Sequence, residues 1–475
     1  MSSDEQLDLT IGVLGTQVPA TSKTITWNDG LRTVLPTICN ESNKNLCDEV
    51  DIPLIKFMAQ FPRSNTNNTA HVHMAPGGIC QAPRVDAQLQ EILGMNKCVV
   101  IKGVPHNPAG KTLTFEYLDA VFGISPHRPV CIHDMKKRCE DHVHPTITGS
   151  IGSFIESIND TTSIQCILDI PLAHVSLPDG LKCVATFWNV LHAFLTLRIR
   201  ILDHGLVHGW NQTTHSVPII SKVHPENFTI KGWGLLHHAG FLTYPHHDAE
   251  GTLTWVRMEA GLKLWVIFRL KSRSTQRIHL QELAVKLTNY PVHKDWLQRN
   301  CEGEVITLRP GDLLILPPGM VHAVYTPIPS FATGGHFYNY SCMHLTELSR
   351  YIDAEVAEST TNQALDHALE TLRRMVIMIP YLSPRLTLRK RCLLSLCMMA
   401  TRGRQYRAKG SSPHSVEDTE TAEPSADISD IIFQYFGLSN RMRPGDILYV
   451  GNQHDPGDAI DRVHLLHAFK NSLVL

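Results

Sequence analysis

The sequence predicts a mixed α+β protein in which a β-rich region, a sandwich or a barrel, lies between helical segments. Three observations support this fold class. Helical and strand-like segments alternate from about residue 85, short β-type runs fill about 228–345, and helical spacing returns after 345. Several short strands with turn residues between them are typical of closed or two-layered β architectures.

The chain before the β-rich region has two parts. Residues 1–84 are predicted to be a partly irregular N-terminal region, because 1–45 are weakly patterned and 63–78 are rich in turn formers, so neither stretch resembles core. From 85 a mixed α/β lead-in follows, with helical spacing in "RVDAQLQEILG", "TFEYLDAVFG" and "GSFIESIND" and strand-like runs in "KCVVIKGV" and "PVCIHDM".

The β-rich region, about 228–345, contains strand-like runs such as "KLWVIFRL" and "EVITLRPGDLLILPPG", and one insertion at about 271–300 interrupts it. With the lead-in it forms one region, 85–345. Residues 346–404 are predicted to be helical, and the acidic, Ser/Thr/Pro-rich stretch 405–428 is predicted to be a disordered linker before a tail segment, 429–475.

Charge gives only local information about partners. The formal net charge of -2 indicates no overall preference for nucleic acid, anionic membranes or acidic substrates. Residues 373–409, however, contain Lys and Arg but no Asp or Glu. This basic run is compatible with contact to nucleic acid or an acidic partner, with a nuclear import signal, or simply with the solvated faces of amphipathic helices.

The cysteines and the N-terminal sequence indicate in which cellular compartment the protein is expected. The chain has 12 cysteines but no CxxC pair, which argues against zinc fingers, and without a recognisable signal peptide a disulfide framework is not expected. The longest apolar run, "CLLSLCMMA" at 392–400, is too short to span a bilayer. An intracellular protein with no membrane association is the expectation.

Two segments carry a candidate metal site. In "TYPHHDAEG", His246 and Asp248 are two positions apart, so an extended chain places both side chains on one face and turns His247 away, towards solvent or a supporting position. In "RPGDLLILPPGMVHAVY", a turn at Gly311, an apolar strand and a second turn ending at Gly319 lead to His322.

Two imidazoles and one carboxylate form the facial triad that holds Fe(II) and leaves coordination positions open. Structural zinc would require four protein ligands, usually including thiolates, and no suitably spaced cysteine is near either segment. The alternative interpretation is chance placement of the three residues in loops.

These two segments, "FLTYPHHDAEGTLTWVRMEAGLKLWVIF" and "LRPGDLLILPPGMVHAVYTPIPSFATGGHFYNY", match the motifs of the cupin superfamily, and the chain from about 85 to 345 resembles a JmjC-domain 2-oxoglutarate-dependent oxygenase. The resemblance implies a double-stranded β-helix (jelly-roll) core with Fe(II) bound by His246, Asp248 and His322. It also implies that Lys263 binds the distal carboxylate of 2-oxoglutarate, which agrees with the cost of burying an unpaired lysine in "LKLWVIF". The alternative for Lys263 is a position at a strand edge that faces solvent.

The resemblance suggests three further cosubstrate residues. Thr243 matches a hydroxyl that in some relatives shares the 2-oxoglutarate carboxylate. Thr254 and His336 fall where relatives often carry asparagine or another polar residue at the cosubstrate pocket. For all three, a polar residue of the barrel interior without cosubstrate contact is the alternative.

The implied activity is hydroxylation of a macromolecular substrate, with protein preferred, or N-demethylation where the oxidised carbon is an N-methyl group. Two alternatives stay open: an inactive JmjC-like metal-binding module that recruits partners, and a small-molecule cupin dioxygenase in which Lys263 is dispensable. The family and "RKR" at 389–391 favour the nucleus over the cytoplasm, and an oligomer is compatible with the helices expected after the barrel.

Overall fold

The computed structural model describes residues 23–73, 83–104, 113–172, 206–207, 232–356, 360, 368–382, 386–407, 419–438 and 444–472. Its strands are β1 Thr24–Thr26, β2 Arg32–Val34, β3 Thr69–His73, β4 Cys98–Lys102, β5 Pro129–Asp134, β6 Thr146–Ser150, β7 Gln165–Leu172, β8 Leu206–Val207, β9 Gly232–His237, β10 Phe241–His246, β11 Leu253–Leu270, β12 Cys301–Leu308, β13 Leu313–Leu316 and β14 His322–Asn339.

The α-helices lie before, between and after these strands along the sequence. They are α1 Asp51–Met58, α2 Pro83–Gly94, α3 Phe115–Phe122, α4 Met135–Glu140, α5 Ile151–Glu156, α6 Arg277–Thr288, α7 Tyr290–Asn300, α8 Met343–Val356, α9 Ala368–Met378, α10 Lys390–Thr401, α11 Thr419–Tyr435, α12 Pro444–Ile447 and α13 Arg462–Ser472. The fold is therefore mixed α+β. The helices and strands expected in the lead-in are confirmed, and the insertion forms α6 and α7.

Most strands join one large sheet. Its 12 strands include the path β3-β4-β13-β11-β14-β9-β7-β5-β6, with β10 and β8 paired to β14 and β12 paired to β11. The pairs are antiparallel except for β3 with β4, which is parallel. The sheet is thus predominantly antiparallel, as expected where hairpins and short turns connect consecutive strands.

Two 18-residue strands, β11 and β14, organise this sheet. The first half of β11 pairs with β13 and its second half with β12, while β14 runs alongside both halves. Three register shifts interrupt the β11–β14 ladder between Met258 and Leu264. Bulges of this kind bend a strand and increase its twist, so one strand can follow a curved path and contribute to two neighbouring parts of the sheet.

The N-terminal region packs into the core, contrary to the sequence-based expectation. Trp27, Leu35 and Ile38 are buried in the cluster that also contains Ile55 and Tyr325. The Trp27 and Tyr325 rings stack with centroids 6.0 Å apart. Apolar residues in 23–45 are too sparse to produce a periodic pattern, yet a few large side chains are sufficient to cover one end of the sheet.

Helices α9, α10, α11 and α13 form a separate hydrophobic cluster after the sheet. Here the prediction of a disordered linker over 405–428 is wrong for 419–428, because α11 begins at Thr419 and its Ile428 is buried. Residues 408–418 lie outside the described part of the chain. Pro424 is the sixth residue of α11, so the helix lacks one backbone hydrogen bond at that point.

Several cations of the basic run 373–409 already have partners in the protein. The buried Arg374 forms an ion pair with Glu370. Arg391 donates hydrogen bonds to the carbonyl oxygens of Leu448 and Val450, both at 2.8 Å, and Arg389 approaches Glu91 at 3.9 Å. The Arg391 contacts join two C-terminal segments, and the contact of Arg389 reaches α2. The expected nucleic-acid or acidic partner stays a prediction.

A buried ion pair also ties the insertion to the C-terminal region. The guanidinium of Arg277, at the start of α6, donates to the carboxylate of Glu347 in α8 and lies 3.7 Å from the centre of the Tyr449 ring. Such a pair is costly to break because one charge would then stay buried without its partner.

None of the described helices combines the length and apolar character needed to cross a membrane.

The buried face of α11 leads to a stability prediction. Ile432→Ala should lower the free energy of unfolding by about 2 to 5 kcal/mol, because it opens a cavity between α11 and its neighbours. Urea denaturation measures the effect. Gln434→Ala is the matched control, since Gln434 is exposed on the same helix and should change stability by less than about 0.5 kcal/mol. Equal stability of the two variants would show that the packing of α11 against its neighbours does not contribute to stability.

Candidate metal centre

Strand pairing brings the two predicted motif segments together. Strand β10 ends at His246 and β14 begins at His322, and these residues are direct partners in the antiparallel pair. Their imidazole ring centroids are 4.4 Å apart. The two turns predicted before His322 are present, with φ of +87° at Gly311 and +70° at Gly319, values that glycine adopts without strain.

Asp248 completes the group. Ligand atoms of His246, Asp248 and His322 all lie within 4.8 Å of one another. The Nε2 atom of His246 is 4.0 Å from Oδ1 of Asp248. His322 is 1% exposed, whereas the side chains of His246 and Asp248 are 16% and 12% exposed. The group is therefore enclosed on the His322 side and accessible on the other.

Backbone hydrogen bonds orient both imidazoles. Nδ1 of His246 lies 2.8 Å from the carbonyl oxygen of Tyr244, and Nδ1 of His322 lies 2.9 Å from that of Met320. A carbonyl only accepts, so each Nδ1 carries the proton and each Nε2 presents a lone pair. Burial lowers the pKa of both residues, to about 4 for His322. Both imidazoles are consequently neutral near pH 7, the form that binds metal.

A chain of hydrogen bonds holds the carboxylate. The Thr254 hydroxyl donates to Oδ2 of Asp248 at 2.5 Å and lies 2.9 Å from Nδ1 of His336, which can donate to it. Burial alone would raise the pKa of Asp248, but the nearby imidazoles and this hydroxyl more than offset it and lower the pKa. Thr254 and His336 thus lie beside the candidate metal centre and support its acidic ligand.

His247 has a supporting role and is not exposed. It is 1% exposed, and its Nε2 lies 2.6 Å from Oδ1 of Asp353 in α8. Burial lowers its pKa, but Asp353 more than compensates and raises it. His247 therefore fastens the segment between His246 and Asp248 to the first C-terminal helix.

Lys263 is buried, 1% exposed, on β11, which excludes a solvent-facing strand edge. Its Nζ donates to the Thr326 hydroxyl at 3.3 Å, and burial lowers its pKa to about 7 despite the opposing effect of Cys166. In the described part of the chain no carboxylate forms an ion pair with it. This lysine lacks the anion that a buried ammonium group requires.

Two further polar atoms near Lys263 were not identified from the sequence. His237 interacts electrostatically with Lys263 and lies opposite Ser330 in the β9–β14 pair. Among the described residues, neither Nδ1 of His237 nor Oγ of Ser330 has a hydrogen-bond partner, although both are buried. Thr243 lies on β10 and pairs with Val324 of β14. Among the described residues, no side-chain hydrogen bond joins Thr243 to the triad, so the structure assigns it no role. A signal for His237 was present only as the unusual "HH" at 237–238 in an apolar strand.

Comparison with known proteins supports the resemblance read from the two motifs. The chain is 31% identical over 124 residues, 26% of its length, to a JmjC domain-containing histone demethylation protein 1 of Caenorhabditis briggsae. It is 30% identical over 114 residues to the Caenorhabditis elegans protein of that name, and 28% identical over 134 residues to the Debaryomyces hansenii protein. No protein-family model matches the chain.

The chain is a distant, partial relative of JmjC domain-containing histone demethylation proteins. The predicted JmjC resemblance is thereby confirmed for about a quarter of its length. The matches cover 11% and 10% of the two Caenorhabditis proteins and 25% of the Debaryomyces hansenii protein, so the chain spans only a small part of these JmjC relatives.

The hydroxyl of Thr254 allows a direct test of the candidate centre. Thr254→Val keeps the side-chain shape but removes the donor to Asp248, so affinity for Fe(II) or Co(II) should fall by about 10- to 100-fold. Calorimetric titration under anaerobic conditions measures this. Thr243→Val, the control on β10, should bind metal as the unaltered protein does in the absence of cosubstrate. Unchanged affinity in Thr254→Val would contradict the role given to Thr254.

Proposed function

We propose that this protein is an Fe(II)- and 2-oxoglutarate-dependent oxygenase of the JmjC type, acting on a macromolecular substrate, with protein as the leading expectation. The proposal includes a double-stranded β-helix of the jelly-roll type as the form of the large sheet. The observation that carries it is the group of His246, Asp248 and His322, with ligand atoms within 4.8 Å of one another.

The donor set fits iron. Two neutral imidazoles and one carboxylate form the facial arrangement used by non-haem Fe(II) oxygenases, in which the remaining positions stay open. The accessible side of the group, at His246 and Asp248, is where those positions would lie. When bound, iron and 2-oxoglutarate supply the oxidising chemistry that converts a substrate C–H bond into C–OH.

The surroundings of Lys263 fit a carboxylate of 2-oxoglutarate. An ammonium group, the Thr326 hydroxyl and the unpaired polar atoms of His237 and Ser330 lie in one buried part of the sheet. Leaving such groups unpaired costs free energy, and an entering carboxylate would satisfy them. Lys263 is the residue proposed to hold the distal carboxylate, as the family resemblance implies.

The other residues of the site position these groups and limit access of water. Thr254 and His336 fix the orientation of the Asp248 carboxylate, and the ion pair of His247 with Asp353 fixes the chain between the ligands. The indole of Trp265 stacks on the His322 ring with centroids 5.0 Å apart. A buried, rigid ligand set of this kind keeps its geometry when ligands exchange at the accessible side.

Whether the product is a stable alcohol or a demethylated amine depends on the carbon that is oxidised. The relatives are named histone demethylation proteins, so methylated histone is one substrate to test. Their names also favour the nucleus as the proposed location. Hydroxylation of a different protein is the second reaction to test. Both reactions belong to the proposed activity, because the metal ligands serve either equally.

Lys263 makes binding of 2-oxoglutarate pH-dependent. Its pKa is about 7 in the free pocket, and only the protonated lysine attracts the carboxylate. Above pH 7 the dissociation constant should therefore rise, by up to about tenfold per pH unit. Calorimetric titration of the Zn(II)- or Mn(II)-loaded protein between pH 7 and 9 measures it.

Lys263→Arg is the informative variant for this prediction, because arginine stays charged over the whole range and should flatten the pH dependence. Lys271→Arg, at an exposed lysine just beyond the same strand, should retain the dependence of the unaltered protein. A pH-independent affinity in the unaltered protein would remove Lys263 from the cosubstrate site.

Turnover tests the proposed activity directly. With Fe(II), 2-oxoglutarate and ascorbate in air, the unaltered protein should form succinate without added substrate, and methylated histone peptides should increase the rate if they are substrates. Asp248→Ala should form none, because it loses a metal ligand. Metal and 2-oxoglutarate binding without succinate formation, under every substrate tried, would instead favour the inactive binding module.

A further inference from the structure

A second group of side chains that could bind a metal ion joins the N-terminal region to the lead-in, outside the site described above. Cys47 belongs to a short 3-10 helix, Leu46–Asp48, Asp51 is the first residue of α1, and Cys139 lies in α4. Both sulfur atoms and a carboxylate oxygen lie within 4.8 Å of one another. Cys47 and Asp51 are 0% exposed, and Cys139 is partly accessible.

The two oxygens of Asp51 have different partners. Oδ1 accepts a hydrogen bond from Nη2 of Arg138 at 2.7 Å. Oδ2 faces the thiol of Cys139, which donates to it at 3.7 Å. Carboxylates that bind metals commonly have one oxygen held by a neighbouring donor while the other contacts the ion. Asp51 already has this arrangement.

Arg138 is itself held in place, so the group is preorganised. Its Nη1 donates to the carbonyl oxygen of Leu242 at 2.8 Å, and its guanidinium lies 4.2 Å from the centre of the Tyr244 ring. Both contacts are on β10, the strand that ends at His246. The group thus lies where the N-terminal region, α4 and β10 meet.

We propose that Cys47, Asp51 and Cys139 form a binding site for a thiophilic divalent cation such as Zn²⁺, separate from the centre at His246. Binding replaces the two thiol protons by the cation and releases both protons to solvent. The two thiolates and the carboxylate carry three negative charges, and the cation with Arg138 carries three positive charges. The occupied site is therefore electrically neutral, as the metal-free site is with its Asp51–Arg138 pair.

The dimensions agree with this assignment. Zinc–sulfur and zinc–oxygen distances of about 2.3 and 2.1 Å in a tetrahedron place ligand atoms roughly 3.5 to 3.8 Å apart, and the Cys139 sulfur lies 3.7 Å from Oδ2 of Asp51. Solvent can complete the tetrahedron on the accessible side of Cys139.

A disulfide between the two cysteines is the competing arrangement. It would need an oxidant such as a peroxide, and it would remove the thiol proton that Oδ2 of Asp51 now accepts. The carboxylate aimed at the Cys139 sulfur is a third ligand for a cation and contributes nothing to a sulfur–sulfur bond. The position of Asp51 therefore favours the metal site.

Cobalt(II) titration of the full chain tests the proposal, because sulfur-to-cobalt charge-transfer absorption requires thiolate ligands and the triad at His246 has none. In the reduced Asp248→Ala protein, which lacks the other centre, the band should saturate at one ion per chain with release of about two protons. Cys139→Ser in that background should abolish the band. Cys131→Ser, at an exposed cysteine of the neighbouring β5, should retain it.

Stability supplies a second readout that does not depend on Cys139→Ser folding well. Zn²⁺ should raise the melting temperature of the Asp248→Ala protein, because a ligand that binds only the folded state stabilises it. Three results would overturn the proposal: no thiolate band in the reduced protein, an equal band in Cys139→Ser, or a Cys47–Cys139 disulfide in air with no zinc-dependent stabilisation after reduction.

Discussion

The antiparallel pairing of β10 with β14 is the constraint on which the candidate centre depends. It sets His246 directly opposite His322, although 75 residues of chain separate them in sequence. A shift by one residue would turn every side chain of β10 to the other face of the sheet and remove both His246 and Asp248. Phe241 and Leu242 face opposite sides of the strand and are both buried, so such a shift would require the close-packed core on both sides of β10 to be repacked.

The parts of the fold that the sequence predicted correctly are those with strong local signals. Gly311 and Gly319 mark turns, "KCVVIKGV" is an uninterrupted apolar strand, and "TFEYLDAVFG" has a Thr cap and a terminal glycine; all appear as expected. The start of α11 was missed because Pro424 and its acidic, Ser/Thr-rich composition resemble a linker, while its buried Ile432 gains stability only from distant helices.

Within the candidate site, the sequence predicted which residues could bind a metal, but it did not predict the hydrogen-bond partners that support them. Spacing and alternation identified His246, Asp248 and His322, because adjacent positions of an extended strand face opposite sides. The link from His336 through Thr254 to Asp248 depends on β11 pairing with β14 across a long separation, which local pattern does not specify. The proximity of Cys47 and Cys139 was equally unpredictable from the sequence, because thiols on separate segments come together only in the folded chain.

A buried charge without a partner of opposite charge distinguishes Lys263 from the buried arginines of this protein. Arg277 and Arg138 pair with carboxylates of segments that are far apart in sequence, whereas Arg374 pairs with Glu370 of its own helix. Lys263 is also buried, but among the described residues its hydrogen-bond partner is a hydroxyl and no carboxylate pairs with it. Natural proteins satisfy buried polar groups almost everywhere, so an ammonium group without an anion in the same sheet as the candidate metal centre is the feature that the proposed cosubstrate site explains. A carboxylate bound there would offset the free energy that burying Lys263 costs.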